Sequence, residues 1–209
     1  NFGDLSNLSH IENLAFANTG LIDACFINNP NLTLIDTSAF ANSQLVNINC
    51  SGCSNLTSVG NSTAFTNCSN ITYIYFQNCS SLNYIGLNGI TNLTNLPDNA
   101  FNGCISLNSF NFFELNSLNT IGQSAFQNSG LNSADFTKNY LLTTLKPSIF
   151  QDCSLLTNVD FSGISITSIS KQCFKGCTNL SNFIVTDCSK VLKIDASAFA
   201  NCISLNSFN

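Results

Sequence analysis

A solenoid of about eight stacked units, each roughly 24 residues long, is the architecture this sequence predicts. Two series of residues carry the prediction. A phenylalanine, most often after alanine, recurs at Phe16, Phe40, Phe65, Phe101, Phe126, Phe150, Phe174 and Phe199, at intervals of 24, 25, 36, 25, 24, 24 and 25. A second series keeps step with it: Leu21, Leu45, Ile71, Leu107, Leu131, Leu156, Leu180 and Leu205. The third observation is local. From Ile71 the chain reads I-T-Y-I-Y-F-Q-N-C-S-S-L-N-Y-I, apolar and polar residues alternating in its first half.

Each part of the unit follows from this pattern. The alternating box is a half-buried strand, with Ile74 and Phe76 inward and Tyr73, Tyr75 and Gln77 outward. The Ala-Phe-x-x-Cys half is too short for a regular helix and predicts a turn or a single 3₁₀ turn. One unit alone cannot close a core, so neighbours must stack. The 36-residue interval holds about 11 extra residues, in which Leu93-x-x-Leu96 copies Leu82-x-x-Ile85. Residues 86–96 are therefore expected to form an extra partial coil or bulge, and insertions in repeat arrays often lie near binding surfaces. Cys104–Asn111 is repeated identically at Cys202–Asn209. With no polar capping unit at either end, 1–209 is expected to be one domain cut from a longer array.

Composition narrows the function classes. Charged residues are 8% of the chain, against 34 Asn, 28 Ser and 17 Thr, while 44% is hydrophobic. Disorder pairs low hydrophobicity with high charge, so this chain should fold. Residues 1–137 carry seven acids and no Lys or Arg; residues 138–209 carry six Lys and four acids, so −7 and +2 give the net −5. Without clustered cations a nucleic-acid partner is excluded. No run of 18 apolar residues occurs, so no membrane insertion is expected in this segment.

The L-x-x-I-x-F-x-x-C/N-x-x-L frame resembles the leucine-rich repeat family. The added element, seen as Ile121-Gly122-Gln-Ser-Ala125-Phe126 and Ala100-Phe101-Asn-Gly-Cys104, is similar to the BspA-like, or Treponema-type, subclass. Members typically carry Ile-Pro between the two boxes, where this chain mostly has Asn-Cys or Thr-Asp. The resemblance implies a leucine-rich repeat solenoid, a curved right-handed coil with a parallel sheet on its concave face and short 3₁₀ or turn segments on the convex side. It also implies a secreted or cell-surface protein linked to adhesion and host contact.

Eleven cysteines invite disulfide and metal readings. Cys68, Cys104, Cys153, Cys177 and Cys202 sit three residues after a marker Phe, and Cys53, Cys79 and Cys188 occupy the place where such repeats carry an inward Asn. With Cys50 in place of the inward Phe and Cys173 in place of Ala, ten of the eleven are expected to face the core as small buried hydrophobes. Stacked coils about 4.8 Å apart also leave Cys153/Cys177 or Cys177/Cys202 within bridging range. The pairs Cys50/Cys53 and Cys173/Cys177 have metal-like spacing but fall at unlike core positions, so no metal or other cofactor is expected. Asn29 and Asn139 share the Cys79 position and are expected to hydrogen-bond turn amides. Cys25 alone is expected to point outward.

With His10 the only histidine and the acids scattered singly, no catalytic set is expected and the chain is read as non-enzymatic. Outward strand positions nominate a ligand-binding patch of Tyr73, Tyr75, Gln77, Asn111, Phe113, Asp135 and Asp160, since exposed aromatics among small polar residues suit recognition. Tyrosines are also simply good strand formers. The expected partner is a protein or glycan on a host or neighbouring cell. Self-association into a filament, coat or scaffold is the alternative. Ten N-x-S/T sequons, Asn61 among them, are close to the number such a composition produces by chance.

Overall fold

In the computed structural model, which describes residues 2–3, 5–60 and 63–207, the chain is a parallel-strand β-solenoid of about seven turns with almost no helix. The Asn61 sequon lies outside the described residues. A typical coil has two strand-bearing flanks joined by two turn edges, and apolar side chains from all four sides meet between them.

On the first flank, Asp23–Cys25, Asn47–Asn49 and Tyr73–Tyr75 pair in parallel, placing Ala24, Ile48 and Ile74 in one inward row. All three are buried, with exposed or half-buried residues on either side, as the alternating box requires. On the second flank, His10–Ile11, Leu34–Ile35, Ser58–Val59 and Tyr84–Ile85 form a four-stranded parallel sheet.

Beyond Ile85 the flanks exchange occupants. Residues 86–94 complete the second flank, where Gly89 packs against the main chain of Phe65 and Asn67. Asn95–Leu96 then runs beside Tyr73–Tyr75 on the first flank. The Phe76 amide donates to the Ala100 carbonyl and the Asn78 amide to the Asn102 carbonyl, both at 2.7 Å. The Phe76 and Phe101 rings stack at 5.6 Å. An Ala-Phe box thus lies beneath a strand box. From there Asn95–Leu96, Thr120–Ile121, Thr144–Leu145, Ser168–Ile169 and Lys193–Ile194 continue the first flank. The second flank is continued by Ser133–Asp135, Asn158–Asp160 and Asn182–Ile184. The extra residues are half a coil.

The edge ladders show that the coil itself is uninterrupted. Asn29, Cys53, Cys79, Cys104, Ser129, Cys153, Cys177 and Cys202 follow one another every 24 to 26 residues, straight across the 36-residue interval. Each cysteine in this row gives its thiol hydrogen to a carbonyl one coil back: Cys53 to Phe26, Cys79 to Cys50, Cys104 to Phe76, Cys153 to Phe126, Cys177 to Phe150 and Cys202 to Phe174, at 2.9–3.0 Å. Asn29 Nδ2 donates to the Phe2 carbonyl one coil back and to the Phe26 carbonyl of its own turn. One position therefore accepts Asn or Cys because either supplies a buried donor to a carbonyl that, in most coils, already takes one main-chain amide and has a second lone pair to fill. Asn29 and Asn139 act as donors to carbonyls rather than as acceptors from turn amides, and their Oδ1 atoms are buried without a partner.

Next to this row lies a file of left-handed residues. Asn28, Gly52, Asn78, Gly103, Asn128, Asp152, Gly176 and Asn201 have φ between 56° and 78°. Asn and Asp tolerate this region better than other non-glycine residues, and Asn28, Asn78, Asn128, Asn201 and Asp152 take this corner where glycine does not. At Gly103 a Cβ would lie 2.6 Å from Asn78 Oδ1 on the preceding coil, so glycine at this corner leaves room for that asparagine side chain.

Phenylalanine fills the interior. Phe101, Phe126, Phe150, Phe174 and Phe199 stack at 5.3–5.6 Å with nearly parallel planes, a spacing set by the strand separation. The Ala-Phe boxes are turns; the 3₁₀ segments fall instead at Phe112–Glu114 and Cys188–Lys190. The first replaces the strand expected around residues 109–113, because Phe110 and Phe112 both turn into the junction, Phe110 packing on Phe101 and Phe126 and Phe112 on Phe126.

Candidate recognition face

An outward residue on a strand is held by its neighbours in the sheet, so a row of such residues is a rigid surface. Tyr73 is half exposed, and Tyr75 beside it is half-buried. Burial pushes the Tyr75 phenol up, and the Tyr73 and Asp98 groups add to this. Gln77 is half-buried in the following turn, where its carbonyl accepts from the Gly52 amide at 2.8 Å. These three share the first flank with Asn47 and Asn49 on one side and Asn95 on the other.

The other four nominated residues lie on the second flank. Asn111 is exposed and precedes the 3₁₀ turn, and Phe113 within that turn is 58% exposed. Asp135 and Asp160 occupy equivalent outward positions on paired strands. Their carboxylates have local work: Asp135 Oδ1 accepts from the Thr137 amide at 2.9 Å, and Asp160 Oδ1 from the Ser162 amide at 2.7 Å. Asn49 Oδ1 does the same for Ser51. This Asx-turn geometry ends each strand, and the Asp/Asn-x-Ser/Thr spacing is its signal in the sequence. The seven residues thus form two groups on separate flanks, with the half coil between them as the reason.

Sequence reading passed over Lys138, Tyr140 and Leu141, which follow a strand rather than lie on it. Tyr140 and Leu141 are 59% and 58% exposed, and Lys138 Nζ lies 5.8 Å from the centroid of the Phe113 ring. Exposed aromatic side chains one coil apart were visible only once the stacking was known.

The cysteines divide by position. Eight are buried free thiols: Cys50, Cys53, Cys68, Cys79, Cys104, Cys153, Cys173 and Cys177. Burial pushes the Cys153 thiol up to about 11 and the Cys104 thiol up to about 12. Cys188 was expected in the core but is exposed, because the chain leaves the inward Asn/Cys register in the 3₁₀ turn Cys188–Lys190. Cys202 is half-buried in the last described coil, and Cys25 is half-buried on the first flank. No group of three or more His, Cys, Asp or Glu among the described residues is placed to hold a metal ion. His10 is exposed, bonded to Ser9 and Thr33 hydroxyls. No helix among the described residues is long and apolar enough to cross a membrane.

Comparison with known proteins supports the same architecture. The chain is similar to a leucine-rich repeat protein of T. pallidum, with 22% identity and a TM-score of 0.51 over 84% of this chain and 72% of that one. A leucine-rich repeat protein from Bacteroides ovatus matches at 21% identity and a TM-score of 0.46, over 96% of this chain and 63% of the other. No curated relative matches the chain. The model for the BspA type leucine rich repeat region matches in six copies, over residues 4–88 and 70–206. The chain belongs to the BspA-type leucine-rich repeat family.

Proposed function

We propose that the chain is a non-enzymatic recognition and adhesion module, cell-surface or secreted, that binds a protein or glycan partner through outward strand positions. Its family supports a role in protein interaction. The observation that carries the finer reading is the Tyr73–Tyr75 pair: two phenol rings on a hydrogen-bonded strand, opposite Asn47 and Asn49 on the paired strand. Aromatic rings held in this way bury much area on binding at small entropic cost. The test is binding to an array of extracellular-matrix proteins and glycans. Tyr75→Ala or Asp135→Ala weakens capture of a spot bound by the parent chain and leaves thermal unfolding almost unmoved. Unchanged capture by both variants overturns the reading.

The structural alternative, assembly into a filament or scaffold, has its own observation. An apolar hollow of about 240 Å³ is lined by Ile169, Phe183, Val185, Cys188, Val191 and Ile194, and Leu192, next in sequence to Val191, is about four-fifths exposed. A second copy seated there would bury this surface. Sedimentation at rising concentration decides between the readings. Association abolished by Leu192→Lys favours assembly; a monomer throughout removes it.

A further inference from the structure

In a solenoid, residues one coil apart in sequence are neighbours in space. Phe113 and Lys138 are 25 residues apart, and Asn116 and Tyr140 are 24 apart, so the turn after the Phe112–Glu114 segment stacks on the turn after Ser133–Asp135. Their four side chains line one open cleft of about 370 Å³. Phe113 and Tyr140 are each more than half exposed, in a chain whose other phenylalanines mostly lie in the core. Two exposed rings flanking one cation form a surface that desolvates readily on binding.

The floor of the cleft is rigid. Asn139, fully buried between Lys138 and Tyr140, donates from Nδ2 to the carbonyls of Phe112 at 3.1 Å and Leu115 at 2.7 Å, tying the two turns together. The main-chain amides of Leu115, Asn139 and Leu142 are spent within their own turns. No free strand edge is therefore offered to an extended peptide.

Charge selects the ligand further. Lys138 is the first cation of the chain and makes no ion pair among the described residues. The one acid at the corresponding place on the preceding coil, Glu114, is engaged by the Asn111 side chain and the Leu87 amide, and burial raises its pKa.

We propose that this cleft binds a carboxylate-bearing sugar, a uronic or sialic acid residue. The pyranose C–H face lies on Tyr140 and Phe113, the carboxylate meets Lys138 Nζ, and the Asn116 amide and Tyr140 hydroxyl serve ring hydroxyls. The site deepens the recognition reading by assigning it one ligand class, and it stands apart from the Tyr73–Tyr75 flank.

Titration of the ¹⁵N-labelled chain with sodium glucuronate, the methyl glycoside of N-acetylneuraminic acid, methyl glucoside and an acetyl-Glu-Leu amide peptide tests it. The acidic sugars are expected to shift the amides of Asn116 and Lys138 to Leu141. Lys138→Gln weakens that binding about threefold to fivefold, as one exposed charge pair allows, and methyl glucoside is weaker than the acids by a similar factor. Tyr140→Ala costs about fivefold, while Tyr75→Ala leaves the shifts unchanged and so separates this site from the first-flank reading. All these positions are exposed or half-exposed, and retained amide dispersion confirms the fold. Absence of shifts, equal response to neutral and acidic sugar, full affinity in Lys138→Gln, or response to the peptide alone overturns the assignment.

Discussion

The stretch up to Ile85 and the stretch from Leu107 onward use the same unit, yet they stand half a coil out of step. In the first, strand boxes build the first flank and Ala-Phe boxes the far side; in the second, the assignments are reversed. The hydrogen-bond ladders and the phenylalanine stack run through the change, with Phe76 on Phe101 serving as well as Phe101 on Phe126. What the coil requires of each position is an inward apolar residue, a left-handed corner and a buried donor. Both boxes supply these, so either can lie beneath either.

The junction is expected to carry the larger share of stability, and a pair of truncations examines this. Phe101 touches the rings of Phe76, Phe110 and Phe126, whereas Phe65 stacks on Phe40 alone among the described rings. Phe101→Ala is expected to cost about 4 kcal/mol in urea unfolding, and Phe65→Ala about 3. Equal or inverted losses would mean that the junction packs no better than the ordinary array.

A smaller effect is expected at the corner file, and it should be alike in both stretches. Gly52→Ala and Gly103→Ala each force a Cβ onto the Asn Oδ1 of the coil before, at φ near 77°. Each is expected to destabilise by about 2 kcal/mol. Pairing Gly103→Ala with Asn78→Gly should recover part of the loss. No recovery would show that backbone strain, not the clash, is the cause.

Alkaline pH compares the thiols across the array. Because burial holds Cys104 and Cys153 protonated up to about 12 and 11, against an ordinary thiol near 9, the folded chain retains protons that the unfolded chain releases. Their contribution is complete below pH 9 and is lost as pH rises toward 11 and 12, about 1 kcal/mol per thiol at pH 10. Urea midpoints at pH 7 and pH 10 measure it, and Cys153→Ala should show a weaker pH dependence than the parent. The smallest change is Asp135→Asn, which keeps the acceptor for Thr137 and is expected to shift stability by under about 0.5 kcal/mol.

Much of this molecule is legible from spacing. The period, the inward rows and the outward exposure of Tyr73 and Phe113 follow from alternation alone. The half-coil shift does not, because Leu82-x-x-Ile85 and Leu93-x-x-Leu96 satisfy the same pattern, and spacing between like boxes says nothing of which unlike box lies beneath. The one available signal was the unbroken 25-residue step from Cys79 to Cys104, hidden because the two cysteines belong to different boxes. For the same reason the nominated patch joined residues that the stacking separates. Asp135 and Asp160 were nominated because alternation gives only an outward direction, whereas the Asp-x-Thr and Asp-x-Ser spacing that marks their turn hydrogen bonds is a separate signal. Lys138 and Tyr140 escaped because turns carry no periodicity from which an outward direction could be read.

The half coil gives the array a quantum of growth. A duplication or loss of about 12 residues preserves the ladders as well as one of 24, provided the corner and donor positions fall in line. Each such step behaves like a half-turn in a screw thread. The shaft lengthens without a seam, while everything mounted on it beyond that point faces the other way. A lineage of such proteins can therefore move a working surface from one flank to the other in a single genetic event, without altering a residue of the surface itself.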